Sequence, residues 1–259
     1  MSKMNKREDF LTSEISIRSD GYLLKGEYSK PRDSKTLLVL IHGIPMSRPD
    51  PNDKGYPELC ARLNQRGIAT VFCNLRGTGD SEGNFSMAGW HSDVINVMDY
   101  VLKGIGKECD SLFVVGFSAG ASIALKYVSE HGGVSGVIAF ASPARFTEIF
   151  GRGEIFAFIE LAREIGIIKD LEFPPDPMRF FDELEEFSAE DFISDISPVP
   201  ILIVHGDDDE LIPVEHARRL FERAREPKYL KIIERGTHHL RRDPRSIDII
   251  ADWIRDFIS

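Results

Sequence analysis

The stretch Leu112-Phe113-Val114-Val115-Gly116-Phe117-Ser118-Ala119-Gly120, followed by Ala121-Ser122-Ile123-Ala124-Leu125-Lys126-Tyr127-Val128, decides the reading of this chain. Its first four residues are an unbroken apolar run, as in a strand buried on both faces. Ala121 to Val128 reads as a helix. Between them Ser118 sits on a sharp turn flanked by Gly116 and Gly120. A serine on so tight a turn has strained backbone, and bulky neighbours would collide with it. The turn lifts the Ser118 hydroxyl above the sheet edge. The helix N-terminus beneath it favours developing negative charge.

Working outward, buried strands and helices alternate. Upstream, Ile15, Ile17, Leu23 and Tyr28 alternate around Ser19-Asp20-Gly21, predicting an antiparallel hairpin over 13–29. Thr36 to Ile41 is a continuous apolar strand that ends at His42-Gly43-Ile44-Pro45. A helix over Tyr56 to Arg66 leads to a strand over Ile68 to Cys73, then to Arg76-Gly77-Thr78-Gly79-Asp80-Ser81. Trp90, Val94, Val97, Met98, Val101 and Leu102 mark one helix face. Downstream come strands at Val134–Ala141, Val199–Val204 and Tyr229–Ile233, with helices at Pro213–Arg225 and Pro244–Ile258. Such alternation implies a mostly parallel sheet covered by helices on both sides.

Residues 144–197 break the rhythm. They read as helical pieces interrupted by Pro174, Pro175 and Pro177. Nine of the 17 Phe fall there: Phe146, Phe150, Phe156, Phe158, Phe173, Phe180, Phe181, Phe187 and Phe192. That is half of the phenylalanines in a fifth of the chain. A segment this long inside an α/β domain suggests a lid, and the aromatics either wall a pocket or dock the segment onto the body. The cluster Asp182-Glu183-Glu185-Glu186 reads as a solvated helix face. The expected organisation is a core of 1–143 and 198–259, with a small helical lid of 144–197 inserted after the sixth strand.

Composition narrows the function. The formal charge of −10 disfavours nucleic acid and anionic membrane as main partners. No apolar run reaches transmembrane length, and the charged stretch Met1 to Asp9 has no apolar region behind it. Stable membrane anchoring is therefore not expected. Cys60, Cys73 and Cys109 are odd in number and lack a disulfide framework, so they read as reduced thiols of a cytoplasmic protein. None pairs with His at metal-ligand spacing, so neither a metal nor another cofactor is expected. A homodimer is left open.

A serine nucleophile needs a base, an orienting acid and an oxyanion hole. His205-Gly206-Asp207-Asp208-Asp209-Glu210-Leu211-Ile212-Pro213 follows a strand beyond Ser118 and offers three adjacent carboxylates. At least two should be solvated, and one can orient an imidazole. Gly236-Thr237-His238-His239-Leu240 follows the next strand and offers the base. The order Ser, Asp, His is that of one hydrolase architecture.

At this point the chain resembles the α/β-hydrolase superfamily over nearly its whole length. More narrowly it is similar to the esterase and serine-aminopeptidase-like branch that includes cinnamoyl esterases and monoacylglycerol lipases. Four motifs carry the resemblance: H-G at His42-Gly43, R-G-x-G-x-S at Arg76 to Ser81, G-x-S-x-G at Gly116 to Gly120, and H-G-x-x-D-x-x-[VI]-P at His205 to Pro213. The resemblance implies Ser118 as nucleophile and Asp209 as acid. Its H-x-[LF] ending implies His238 as base, with His239 the alternative. It implies the backbone N–H groups of Ile44 and Ala119 as oxyanion donors. His42 then shapes its loop, while His91, His131, His205 and His216 are structural or surface residues. Ser118 in place of an aspartate argues against a dehalogenase or epoxide hydrolase. Ile44-Pro45 after Gly43 departs from the H-G-G-G loop of one lipase group. The implied activity is hydrolysis of a small carboxylic ester, short-to-medium acyl or aryl. Thioesters and small peptides or amides are alternatives, and a non-catalytic ligand-binding protein on the same fold is the rival of another class.

Overall fold

In the computed structural model, which describes residues 10–48, 53–149 and 151–258, the N-terminal alternation folds as the hairpin Phe10–Ser19 (β1) and Tyr22–Pro31 (β2). Met1 to Asp9 and Phe150 lie outside the described residues. Asp20 and Gly21 make the two-residue turn with φ of 49° and 88°, the hand that matches the twist of a hairpin. That turn sets Ile17 opposite Leu24. Leu24 is therefore the buried apolar residue of β2, and Leu23 is half-buried with its N–H on the Glu82 carboxylate. The alternation over 13–29 pointed to Leu23. The turn's register, not the composition, selects its neighbour.

Six further strands follow: Thr36–Ile41 (β3), Ala69–Asn74 (β4), Ser111–Phe117 (β5), Gly136–Phe140 (β6), Ile201–Gly206 (β7) and Lys228–Ile233 (β8). The eight form one sheet in the order β1-β2-β4-β3-β5-β6-β7-β8. From β3 to β8 all pairings are parallel, and the hairpin joins antiparallel through β2 and β4. The helices are Gly55–Asn64 (α1), Met87–Lys103 (α2), Ala119–His131 (α3), Ile155–Ile165 (α4), Pro177–Glu185 (α5), Glu215–Arg223 (α6) and Arg245–Ile258 (α7). This is the α/β-hydrolase arrangement that the motifs implied.

All of β3 is buried, and its side chains divide between two cores. Leu37, Val39 and Ile41 belong to the core that α2, α3 and α6 cover; Leu38 and Leu40 belong to the one that α1 and α7 cover. Burying each such side chain contributes about 1.5–3 kcal/mol, so two covered faces make the sheet a rigid platform. The chain leaves β3 toward β4 on one side and returns to β5 on the other. A crevice opens at such a reversal, outside the C-terminal strand ends. Register aligns those ends, with Ile41 opposite Gly116 and Gly206 opposite Ile233.

Between β6 and β7 lie α4, α5 and four single helical turns. Asp176 caps α5 by accepting the Met178 and Arg179 N–H groups, and Pro177 opens it. Phe146, Phe180, Phe181, Phe187 and Phe192 are buried in the same core as α2 and α3. Phe180 meets Phe85 edge-on, and Phe85 meets Trp90. These aromatics dock the segment onto the body, whereas Phe156 is 58% exposed. The acidic cluster is only partly the solvated face expected. Glu183 accepts the Ala88 N–H at 2.7 Å, capping α2, and Glu185 pairs with Arg145 at 3.0 Å.

Candidate active site

The elbow is built by backbone contact. A Cβ on Gly116 would lie 2.4 Å from the Gly120 carbonyl oxygen, and one on Gly120 would lie 2.2 Å from that of His42. Only glycine permits the β5-to-α3 turn to close so tightly against the 42–44 loop. Ser118 at its apex has φ 54° and ψ −128°, a region that a side chain makes costly. Of the four described non-glycine residues with positive φ, three (Ser118, Ala141 and Arg235) lie at the C-terminal ends of β5, β6 and β8. Backbone strain thus gathers at one edge of the sheet.

The 42–44 loop lies directly against the elbow. A Cβ on Gly43 would lie 2.8 Å from the Phe117 carbonyl oxygen and 2.9 Å from the Ser118 Cβ. His42 holds this loop, as its motif suggested. Its Nδ1 donates to the Gly43 carbonyl at 2.9 Å, and its Nε2 accepts the Leu75 N–H at 3.0 Å. Burial holds its pKa down at about 4, against the pull of the Gly43 carbonyl, so the ring is neutral. Ala119 opens α3, where the first N–H groups have no partner within the helix.

The R-G-x-G-x-S motif is a brace for this loop. Arg76 donates to the buried Asp93 carboxylate through Nε at 3.0 Å and Nη2 at 2.7 Å. The Trp90 Nε1 donates to the Arg76 carbonyl at 2.8 Å. The ring of Trp90 packs edge-on against His42, 4.6 Å between centroids.

The acid loop leaves β7 and turns at once. Asp207 and Asp208 are exposed, while Asp209 is buried. The Asp209 Oδ1 accepts the Leu211 and Ile212 N–H groups at 3.0 and 2.8 Å. Its Oδ2 accepts the His238 Nδ1–H at 2.9 Å. The His238 Nε2 in turn stands 3.1 Å from the Ser118 Oγ. Burial alone raises the Asp209 pKa, but the His205, His238 and Ile212 donors outweigh it and hold the carboxyl well below its ordinary range. His239 is exposed. Ser118, His238 and Asp209 therefore form one hydrogen-bonded chain, assembled from the ends of β5, β8 and β7.

His205 is a structural residue, as the sequence reading allowed, but it also reaches the acid. It is fully buried, and its Nε2 lies 3.2 Å from the Asp209 Oδ2 and 2.8 Å from the Ile212 carbonyl. The signal was its place in the H-G-x-x-D motif, at the end of a buried strand four residues before Asp209. His216 is also internal, its Nδ1 accepting the Ala144 N–H at 3.1 Å.

Sheet order and elbow together are those of the α/β-hydrolase fold. A sequence model of the family described as serine aminopeptidase, S33, matches residues 32–162, just over half of the chain, and the chain belongs to that family. It is 25% identical over 251 residues to the uncharacterized protein YfhR of Salmonella typhi, covering 95% of this chain and 79% of that one. It is 27% identical over 206 residues to the lysophosphatidylserine lipase ABHD12 of Danio rerio, covering 77% of this chain but half of that protein's length. Among solved structures it is similar to the esterase Pf2001 of Pyrococcus furiosus, with a TM-score of 0.72 at 17% identity over 100% of this chain and 98% of the other. No helix among the described residues is long and apolar enough to cross a membrane.

Proposed function

We propose that this chain is a serine hydrolase that cleaves carboxylic esters through a covalent acyl-enzyme. The observation that carries the reading is the hydrogen-bonded chain from the Ser118 Oγ through His238 to Asp209, at 3.1 and 2.9 Å. In this reading His238 takes the Ser118 proton as the Oγ attacks the ester carbonyl. The Ile44 and Ala119 N–H groups hold the developing oxyanion. His238 returns the proton to the leaving alkoxide, then activates the water that releases the acid. Asp209 keeps the imidazole oriented and stabilises its charged form. No cofactor takes part.

The substrate is a small ester, short-to-medium acyl or aryl, with residues 144–197 acting as a cap over the site and the protein working in the cytoplasm. Two exposed side chains, Phe156 at 58% and Leu171 at 81%, support an apolar cap surface. An alkoxide leaves more readily than an amine, which favours esters. The family description names an aminopeptidase, so amide cleavage is the second reading. A fluorophosphonate probe with mass-spectrometric mapping tests the nucleophile. A panel of p-nitrophenyl esters, thioesters and aminoacyl p-nitroanilides tests the substrate. Labelling at Ser118 with fastest turnover of esters upholds the proposal. Failure to label the folded protein favours the ligand-binding alternative, and fastest turnover of anilides favours the aminopeptidase.

A further inference from the structure

Three consecutive aspartates follow β7, yet Asp209 alone turns inward. Its two backbone donors, from Leu211 and Ile212, both fall on Oδ1. They leave Oδ2, the oxygen that meets His238, free to swing. The remaining donor comes from a second imidazole. The His205 Nε2 stands 2.8 Å from the Ile212 carbonyl, which can only accept, so this nitrogen carries the hydrogen. The same nitrogen is 3.2 Å from the Asp209 Oδ2. One N–H is thus shared between the loop's main chain and the carboxylate. The other ring nitrogen, Nδ1, is enclosed with no partner among the described residues, which fits a ring with its single proton on Nε2.

We propose that His205 is a positioning residue of this site: its one N–H ties the Ile212 carbonyl to the strand end and holds the Asp209 Oδ2 toward His238. The inference rests on the serine hydrolase reading, in which Asp209 serves His238. It explains why an imidazole occupies a fully buried position where an apolar side chain would pack. It also explains how one of three adjacent carboxylates is selected. Other charged or titratable groups near this pair are His216 on α6, Asp207 and Asp208 on the acid loop, and His239, Arg241 and Arg242 on the base loop.

The test compares His205→Leu, which fills the space without a donor, with His205→Gln, which returns an N–H at similar reach. Each is checked for folding by circular dichroism and thermal melting. In His205→Leu, kcat falls by roughly ten- to a hundredfold with KM little changed, as misplacement of a reacting group does. The acid limb of kcat/KM moves to lower pH by about half a unit, because the charged imidazole loses its held carboxylate. The low-field proton resonance of the His238–Asp209 hydrogen bond broadens or disappears. His205→Gln restores the rate, the limb and the resonance. Equal losses in both variants with the limb unmoved, or a His205→Leu enzyme with wild-type kcat and limb, would overturn the proposal. Should His205→Leu not fold, His205→Met against His205→Gln makes the same comparison. The resonance is read without substrate. If the wild-type protein neither labels nor hydrolyses, the serine hydrolase reading fails, while the resonance in each variant still decides whether His205 holds Asp209.

Discussion

The sheet with its strand-end loops and the 144–197 segment are held by different forces. At the strand ends, main chain rests on main chain. A Cβ on Gly206 would lie 2.0 Å from the Gly236 carbonyl oxygen, and the contacts around Gly43, Gly116 and Gly120 are similar. The segment rests on side chains. Its phenylalanines enter the core, and charges fasten its ends: Arg145 pairs with Glu185, Glu190 and Asp191, and Arg219 on α6 reaches Glu148 and Glu190. Backbone contact between glycines fixes positions to fractions of an ångström. Long ion-paired side chains yield to salt and acid. The hydrogen-bonded chain of Ser118, His238 and Asp209 lies on the first kind of support, braced by the buried side chains of His42, Arg76 and His205. Chemistry and selectivity should therefore respond separately to mutation.

The largest break comes at the elbow. Ser118→Ala reduces ester turnover by about 10⁶-fold, as loss of a nucleophile does elsewhere, with no loss of thermal stability. A purified variant that retained a tenth of wild-type turnover would contradict the mechanism. Next in size, Asp209→Asn lowers kcat by about 10⁴-fold, whereas Asp207→Asn and Asp208→Asn stay near wild type. His238→Ala abolishes turnover and His239→Ala does not. Steady-state kinetics on one activated ester reads all five, and equal losses across the aspartates would dissolve the assignment.

Within the segment the order reverses. Phe180→Ala costs about 3–5 kcal/mol of stability by denaturant titration, yet changes kcat per folded molecule little. Phe156→Ala leaves stability alone and shifts the dependence of rate on acyl length. A dependence identical to wild type in every segment Phe→Ala variant would remove the proposed cap from the substrate's path. The smallest effect is electrostatic. Burial raises the pKa of Glu190, but Arg219 and Arg145 outweigh it and hold the carboxyl below its ordinary 4.5. Its contribution is therefore full above that value and lost as pH falls through the lowered one. Glu190→Gln costs about 1–2 kcal/mol near neutral pH and almost nothing in strong acid, where the wild-type carboxyl is itself protonated. A pH-independent difference in melts at the two pH values would assign the effect to shape instead of charge.

The parts legible in the sequence are those held by local rules. Apolar runs marked β3 to β7 because parallel strands inside the sheet are buried on both faces, whereas the edge strand β8 carries Lys228 and Lys231 and buries only Ile233. Glycine and motif spacing marked the elbow and both partner loops, and the fold brings Ser118, Asp209 and His238 together in the expected order. The less legible features depend on register or on distant packing. Leu24 displaces Leu23 because a two-residue turn fixes which residue faces inward. His205 read as ordinary because no pattern of neighbours announces that a polar ring is enclosed. Glu183 and Glu185 looked solvated because their partners, Ala88 and Arg145, are remote in sequence. The phenylalanines divide between docking and exposure for the same reason.

One further consequence follows from the φ of 54° at Ser118. Glycine adopts such a backbone with far less strain, so the position proposed for chemistry is also one where the fold stands to gain from losing its side chain. Ser118→Gly should melt higher than Ser118→Ala, which keeps the Cβ, by about 1 kcal/mol in equivalent stability. Stability alone would favour glycine at this residue, so a serine here opposes the fold's own preference.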